Sequence, residues 1–134
     1  MALDFYKVKR TMQVKGVKEE RYVARLIRKP KVTQEMVIDR IVERGTASRG
    51  DVEMVIGQLA IQIGQVLENG QSLKLDRFGI FRPAFKCKSV TKPEEVDVDT
   101  IQDIVARFTV SGEMNQKMKN ATVRFVDLDA KKHA

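Results

Sequence analysis

The side chains with the most chemistry to offer in this 134-residue sequence are cations in alternation. In "FRPAFKCK", read as a strand, Phe81, Pro83, Phe85 and Cys87 point one way and Arg82, Ala84, Lys86 and Lys88 the other. One face would suit an apolar core and the other the oxygens of phosphates. Lys92 follows shortly after. A second basic set, Arg25, Arg28, Lys29 and Lys31, closes a stretch, residues 1–31, that holds ten Lys/Arg against three Asp/Glu. That excess of +7 equals the net charge of the whole chain, because residues 32–134 carry fifteen of each sign. Such asymmetry suits a polyanion, either nucleic acid or a membrane surface; a solvated face that aids solubility is the plain alternative.

Other chemistries find no residues to run on. The single histidine, His133, stands in the C-terminal tail, where it is no candidate for a base. The single cysteine, Cys87, cannot form an internal disulfide and reads as a small core residue. "RFGIF" lacks the length and the Lys-Ser/Thr ending of a phosphate loop. The acidic group Glu94, Glu95, Asp97, Asp99 and Asp103 lacks the spacing and glycine of a calcium loop. No enzyme, metal, cofactor or small-molecule substrate is expected. The apolar runs are too short for a membrane span and "MALDFYKVKR" is no signal peptide, which leads to a cytoplasmic expectation. With 43% hydrophobic and 32% charged residues, the composition is that of a globular chain long enough for one core.

The elements that must position the cations follow from local pattern. Residues 5–15 alternate loosely, Gly16 suits a turn, and "RYVARLIRK", Arg21 to Lys29, reads as a strand ended by Pro30. A hairpin with more than two loop residues is expected. "TQEMVIDRIVERG" predicts a helix of about three turns, with Thr33 as N-cap, Glu35 in the first turn and Gly45 as stop. "SRGDVEMVIGQLAIQIGQVLENG" predicts a longer one, with Ser48 and Asp51 at capping-box spacing and a stripe from Val52 to Leu67. Gly57 and Gly64, each costing about 1 kcal/mol relative to Ala, suggest close approach of another backbone or are simply tolerated. Asn69-Gly70 ends the helix, and Ser72 to Leu75 is a short strand. Pro83 suits an edge or a bulge of the next strand. "SVTKPEEVDVDTIQDI" reads as an acidic loop with a short helical turn. A strand from Ile104 to Val110, a short helix capped by Ser111, a last strand from Ala121 to Leu128 and a frayed "DAKKHA" tail complete the chain.

This order, and above all "NGQSLKLDRFGIFRP", resembles the HU/IHF family of bacterial histone-like DNA-binding proteins. The family's helix ending in Gly, short strand, Gly-Phe-Gly-x-Phe turn and arm-bound strand correspond to Gly70, Ser72 to Leu75, "RFGIF" and Arg82 to Lys88. Arg77 stands where the turn has its first Gly. "ARFTVSGEMNQKMKN" is similar to the segment ahead of the family's last helix. The resemblance covers about residues 33–120. The N-terminal extension looks like that of the extended HU-like proteins of Bacteroidetes.

The resemblance implies an α+β fold: an intertwined dimer with a two-helix base, a β-sheet and extra N- and C-terminal strands. It implies Phe78 and Phe81 packed under the sheet and Gly79 at a sharp turn. The chain would be one domain, 1–134, made of a basic β extension (1–32), an HU-like core (33–120) and a C-terminal strand and tail (121–134). In the family an Arg-Asn-Pro arm tip inserts its proline between base steps. Here Pro93 is followed by Glu94 and Glu95, which repel phosphates, so the arm is expected to be degenerate and Pro93 is given no such role. The expected function is sequence-independent binding of double-stranded DNA by a nucleoid homodimer, through Arg82, Lys86, Lys88, Lys92, Arg25, Arg28, Lys29 and Lys31. The alternatives are an HU-like structural or protein-interaction module that has lost the arm, and an RNA- or ribosome-associated protein.

Overall fold

The computed structural model describes residues 2–128; the expectations for His133 and the tail 129–134 lie outside the described residues. Along the chain run β1 (Ala2–Val14), β2 (Val17–Leu26), α1 (Gln34–Arg44), α2 (Arg49–Glu68), β3 (Leu73–Leu75), β4 (Gly79–Cys87), β5 (Ile101–Val110), α3 (Gly112–Lys119) and β6 (Thr122–Phe125). Two single-turn 3-10 helices, Pro93–Glu95 and Val98–Thr100, lie between β4 and β5. The chain is thus mixed α+β, and it divides into two compact units: residues 2–31 with 117–128, and residues 32–116.

The terminal unit is a three-stranded sheet in the order β2-β1-β6. β1 and β2 pair antiparallel from Phe5 opposite Leu26 to Val14 opposite Val17, leaving only Lys15 and Gly16 in the loop. Both have positive φ, 52° and 80°, the pattern of a tight hairpin turn whose twist matches that of the strands. The longer loop expected from the sequence is therefore corrected: Gly16 adopts the left-handed region freely, and Lys15 adopts it as well. β2 also stops at Leu26, which leaves Arg28, Lys29 and Lys31 beyond the strand. β6 runs parallel to β1, with Asp4 opposite Arg124 and Phe5 opposite Phe125, and is half the expected length. Arg124 forks onto the Asp4 carboxylate at 3.1 and 3.2 Å, and the Phe5 and Phe125 rings lie 5.7 Å apart.

In the 32–116 unit the helix starts follow the cap residues. Thr33 Oγ1 accepts from the Met36 N–H at 3.3 Å, and Ser48 Oγ accepts from the Asp51 N–H at 3.1 Å. These caps satisfy amides that have no partner within the helix. Arg49, at the start of α2, contacts Glu35 and Asp39 of α1 and its own neighbour Glu53. α2 packs on β3 and β4 of an antiparallel sheet ordered β3-β4-β5. Among the described residues, Ile38 and Val52 are the only buried hydrophobics, while Met36, Val37, Ile41, Met54, Val55 and Ile61 lie exposed. Outside their own helical turns, none of the described residues comes within 4 Å of a Cβ built on Gly57 or Gly64, so no described backbone makes the close approach they suggested. Among the described residues no helix is long and apolar enough to cross a membrane.

Candidate nucleic-acid interface

The turn into β4 depends on one residue. Gly79 has φ +147°, and a Cβ there would lie 2.1 Å from the Thr109 carbonyl oxygen and 3.0 Å from the Phe108 ring. Only glycine lets β4 begin this close to β5. The turn is tied to the start of α3. Ser111 donates its amide to the Phe78 carbonyl and its hydroxyl to the Arg77 carbonyl, while its Oγ accepts from the Met114 N–H at 3.2 Å. Phe81 meets Phe108 with ring centroids 4.5 Å apart. Phe78, expected beneath the sheet, is 52% exposed in the single chain.

Register sorts the sheet into two faces. β4 pairs with β5 from Gly79 opposite Val110 to Lys86 opposite Asp103, and β3 pairs with β4 from Leu73 opposite Phe81 to Leu75 opposite Gly79. Directly opposed residues share a face and alternate residues change face. One face therefore carries Leu73, Leu75, Phe81, Pro83, Phe85, Ile104 and Phe108. The other carries Lys74, Arg82, Lys86 and Arg107 with Ile80, Ala84, Val105, Thr109 and one acid, Asp103. All four cations are exposed, and Arg82 donates to Thr109 Oγ1 at 3.2 Å. β3 stops opposite Phe81, so β4 is unpaired on that flank from Arg82 onward. The Phe78–Ser111 bond sets the ladder phase so that Pro83, with no N–H to offer, faces the open flank.

Lys74 and Arg107 were not singled out in the sequence, although both carry the signal of alternation. Lys74 is out of phase with Leu73 and Leu75, and Arg107 stands between Ala106 and Phe108. Lys88 lies past an irregularity between Lys86 and Cys87, with its amide on the Thr100 carbonyl at 2.8 Å. Lys92 stands at the N-cap position of the first 3-10 turn, which Pro93 opens, and its side chain makes no capping hydrogen bond. The segment beyond Lys88 thus folds into a short closed end, with Asp97 Oδ1 accepting from the Asp99 N–H. β5 then begins at Ile101, three residues earlier than expected. Cys87, read as a core residue, is exposed, because it sits at the free end of β4 beyond that irregularity.

Arg25, Arg28, Lys29 and Lys31 belong to the terminal unit. Arg25 stands opposite Tyr6 on β2, and the other three follow the strand; all four are exposed. Arg25 and Arg28 line one groove with Tyr6. Among the described residues no cluster of His, Cys, Asp or Glu could hold a metal ion.

A family model described as an HU domain fused to wHTH, Ig, or glycine-rich motif, HU-HIG, matches residues 1–125. Among solved structures, the fold is similar to that of a candidate bacterial DNA-binding protein from Bacteroides vulgatus ATCC 8482, with a TM-score of 0.68 and 18% sequence identity. The match covers 93% of this chain and 48% of that one, so this chain spans about half that protein's length. No curated protein matches it.

Proposed function

The chain belongs to the HU-HIG family, and on that premise we propose that it binds double-stranded DNA without sequence preference, as a homodimer in the nucleoid. The observation that carries this reading is the face bearing Lys74, Arg82, Lys86 and Arg107 against Asp103 alone, backed by an apolar face. Cations so arranged meet phosphates and release counterions, a contact that carries no sequence information. No aromatic side chain stands on that face to stack with bases. The fold of the DNA-binding candidate from Bacteroides vulgatus points the same way. The work is one of binding and architecture, with no catalysis and no cofactor.

The dimer reading rests on apolar surface that one chain leaves uncovered, including Phe78, Phe85 and the outer faces of α1 and α2. A second copy is the natural cover for such faces. In this reading the chain is one HU-like domain, with residues 1–32 as a basic extension and 121–134 as a terminal strand and tail. A second reading, a protein-interaction module without an arm, is favoured by the acidic end of the hairpin, Glu94, Glu95, Asp97 and Asp99.

The test is fluorescence anisotropy of a labelled random-sequence duplex, titrated at several salt concentrations. With six to eight phosphate contacts per dimer, log K is expected to fall against log salt with a slope of roughly −5 to −7. Reversing Arg82 and Lys86 to Glu should weaken binding strongly while sedimentation still reports a dimer. Absence of binding by the wild type at low salt would leave the module reading in possession.

A further inference from the structure

The two units differ sharply in charge. Residues 32–116 hold ten Lys/Arg against thirteen Asp/Glu, a balance of −3. The described part of the terminal unit, residues 2–31 and 117–128, holds thirteen against four, a balance of +9. Among the described residues of the 32–116 unit, Arg49 is shared among three carboxylates.

Within the terminal sheet the register separates the cations by type. Tyr6 faces Arg25, Arg10 faces Arg21, and Asp4 faces Arg124, all in one phase of β1. Lys7 faces Ala24, Lys9 faces Tyr22, and Gln13 faces Lys18, all in the other phase. Every arginine of the three strands therefore lies on one face and every lysine on the opposite face. Three observations make the arginine face the more available one. Arg10 and Arg25 form no ion pair among the described residues, while on the same face Arg21 is held by Glu19 at 2.9 and 3.1 Å and Arg124 by Asp4; on the opposite face Lys9 is bound to Glu20 at 2.8 Å and Lys7 lies 4.7 Å above the Phe125 ring. Arg10 and Arg21 stand directly opposite each other, and the one carboxylate beside them, Glu19, is taken by Arg21, which leaves Arg10 without an anion. Past the end of β2, Arg28 joins Arg25 and Tyr6 around a groove of about 780 Å³ with no carboxylate among its described lining residues.

From this segregation we propose that the arginine face of the terminal sheet, through Arg10 and Arg25 with Arg28 at its end, is a second phosphate-binding surface for duplex DNA. It rests on the DNA-binding reading and adds a contact separate from the β4–β5 face. Guanidinium forks match phosphate oxygens two at a time, which an ammonium does not. Arg25 stands opposite Tyr6, four residues along β1 from Arg10, and strand geometry makes that roughly 13 Å, so the two would meet different phosphates.

The experiment compares two full-length variants with equal loss of charge. Arg10→Gln/Arg25→Gln removes two cations from the arginine face, and Lys7→Gln/Lys18→Gln removes two from the lysine face. In the anisotropy titration the arginine variant should bind roughly tenfold more weakly, with the salt slope reduced by about 2 per chain. The lysine variant should change affinity much less, and thermal melts should show both folded. Equal losses in the two variants would overturn the proposal, since charge alone would then suffice, and so would an arginine variant that binds as the wild type does. A wild type that binds an RNA hairpin but no duplex DNA would overturn the DNA assignment of this face. A wild type that binds neither removes the underlying DNA reading itself.

Discussion

The molecule contains two three-stranded sheets that are put together differently. The β3-β4-β5 sheet is amphipathic by face: Leu73, Leu75, Phe81 and Phe108 on one side, cations on the other, with α2 packed on β3 and β4. The β2-β1-β6 sheet is mixed on both faces. Val8 and Val23 sit among arginines, and Phe5 and Phe125 sit beside Lys7. A helix-backed sheet draws its stability from burial and close packing, and its geometry is then fixed by the tightest contact. A sheet with two solvated faces relies on its ladder, its turn and cross-strand pairs, each worth little alone. The first should be brittle to single substitutions and the second tolerant.

The sharpest test of that contrast uses one glycine from each sheet. Gly79→Ala forces a methyl into the Thr109 carbonyl at a backbone angle that side chains avoid. A loss of about 3 kcal/mol or more is expected in urea denaturation. Gly16→Ala also stands at positive φ, but nothing lies within 4 Å of the new methyl. It should cost only about 1 kcal/mol, the conformational term by itself. Similar losses at both positions would mean that the Gly79 contact is not the constraint it looks to be.

Side-chain deletion gives a smaller version of the same contrast. Ile38 is fully buried in the helical unit, and Ile38→Ala should cost about 3 kcal/mol through lost transfer energy and the cavity left behind. Phe125 is 45% exposed and touches Phe5 at a tilt. Phe125→Ala should cost roughly 1 kcal/mol, measured in the same melts. A loss at Phe125 equal to that at Ile38 would show the terminal sheet to be covered rather than solvated.

What could be read ahead in the sequence was local. Thr33, Ser48 and Asn69-Gly70 mark helix ends within three or four residues of the amides and carbonyls they serve, so α1 and α2 fall where their caps place them. The alternation in β4 likewise needs no distant partner. Pairing between strands does. That β6 joins β1 in parallel joins residues some 120 positions apart, and no local pattern states it. Lys74 and Arg107 share a face with Arg82 only through the registers of β3 and β5. The sorting of arginines from lysines becomes visible only once Arg10 is set opposite Arg21. The two-residue hairpin loop is not marked in the sequence because Lys15 takes a left-handed conformation that is uncommon for a residue with a side chain. The exposure of Cys87 follows from the end of the ladder, which alternation does not mark.

The smallest effects concern what the charges of each region are engaged in. Arg49 links α2 to Glu35 and Asp39 of α1, and it also reaches Glu53, so three carboxylates share one guanidinium. Its side chain is 41% exposed, which keeps the network modest. Arg49→Ala should lower stability by about 1 kcal/mol, because removing it frees three acids to repel one another. Lys9→Ala breaks a single pair with Glu20 in which both side chains are more than half exposed, and should cost less than about 0.5 kcal/mol. Melts at low and at 1 M salt would separate the two, with the Arg49 difference shrinking as salt rises. If Lys9→Ala proved the costlier, the lysines of the terminal sheet would be structural. They would then be poor candidates for phosphates, because a cation that holds the sheet together cannot exchange its partner freely. A negligible loss at Lys9 beside a measurable one at Arg49 would instead mark the Lys9–Glu20 pair as incidental and leave the choice between the two faces to the paired arginine and lysine variants.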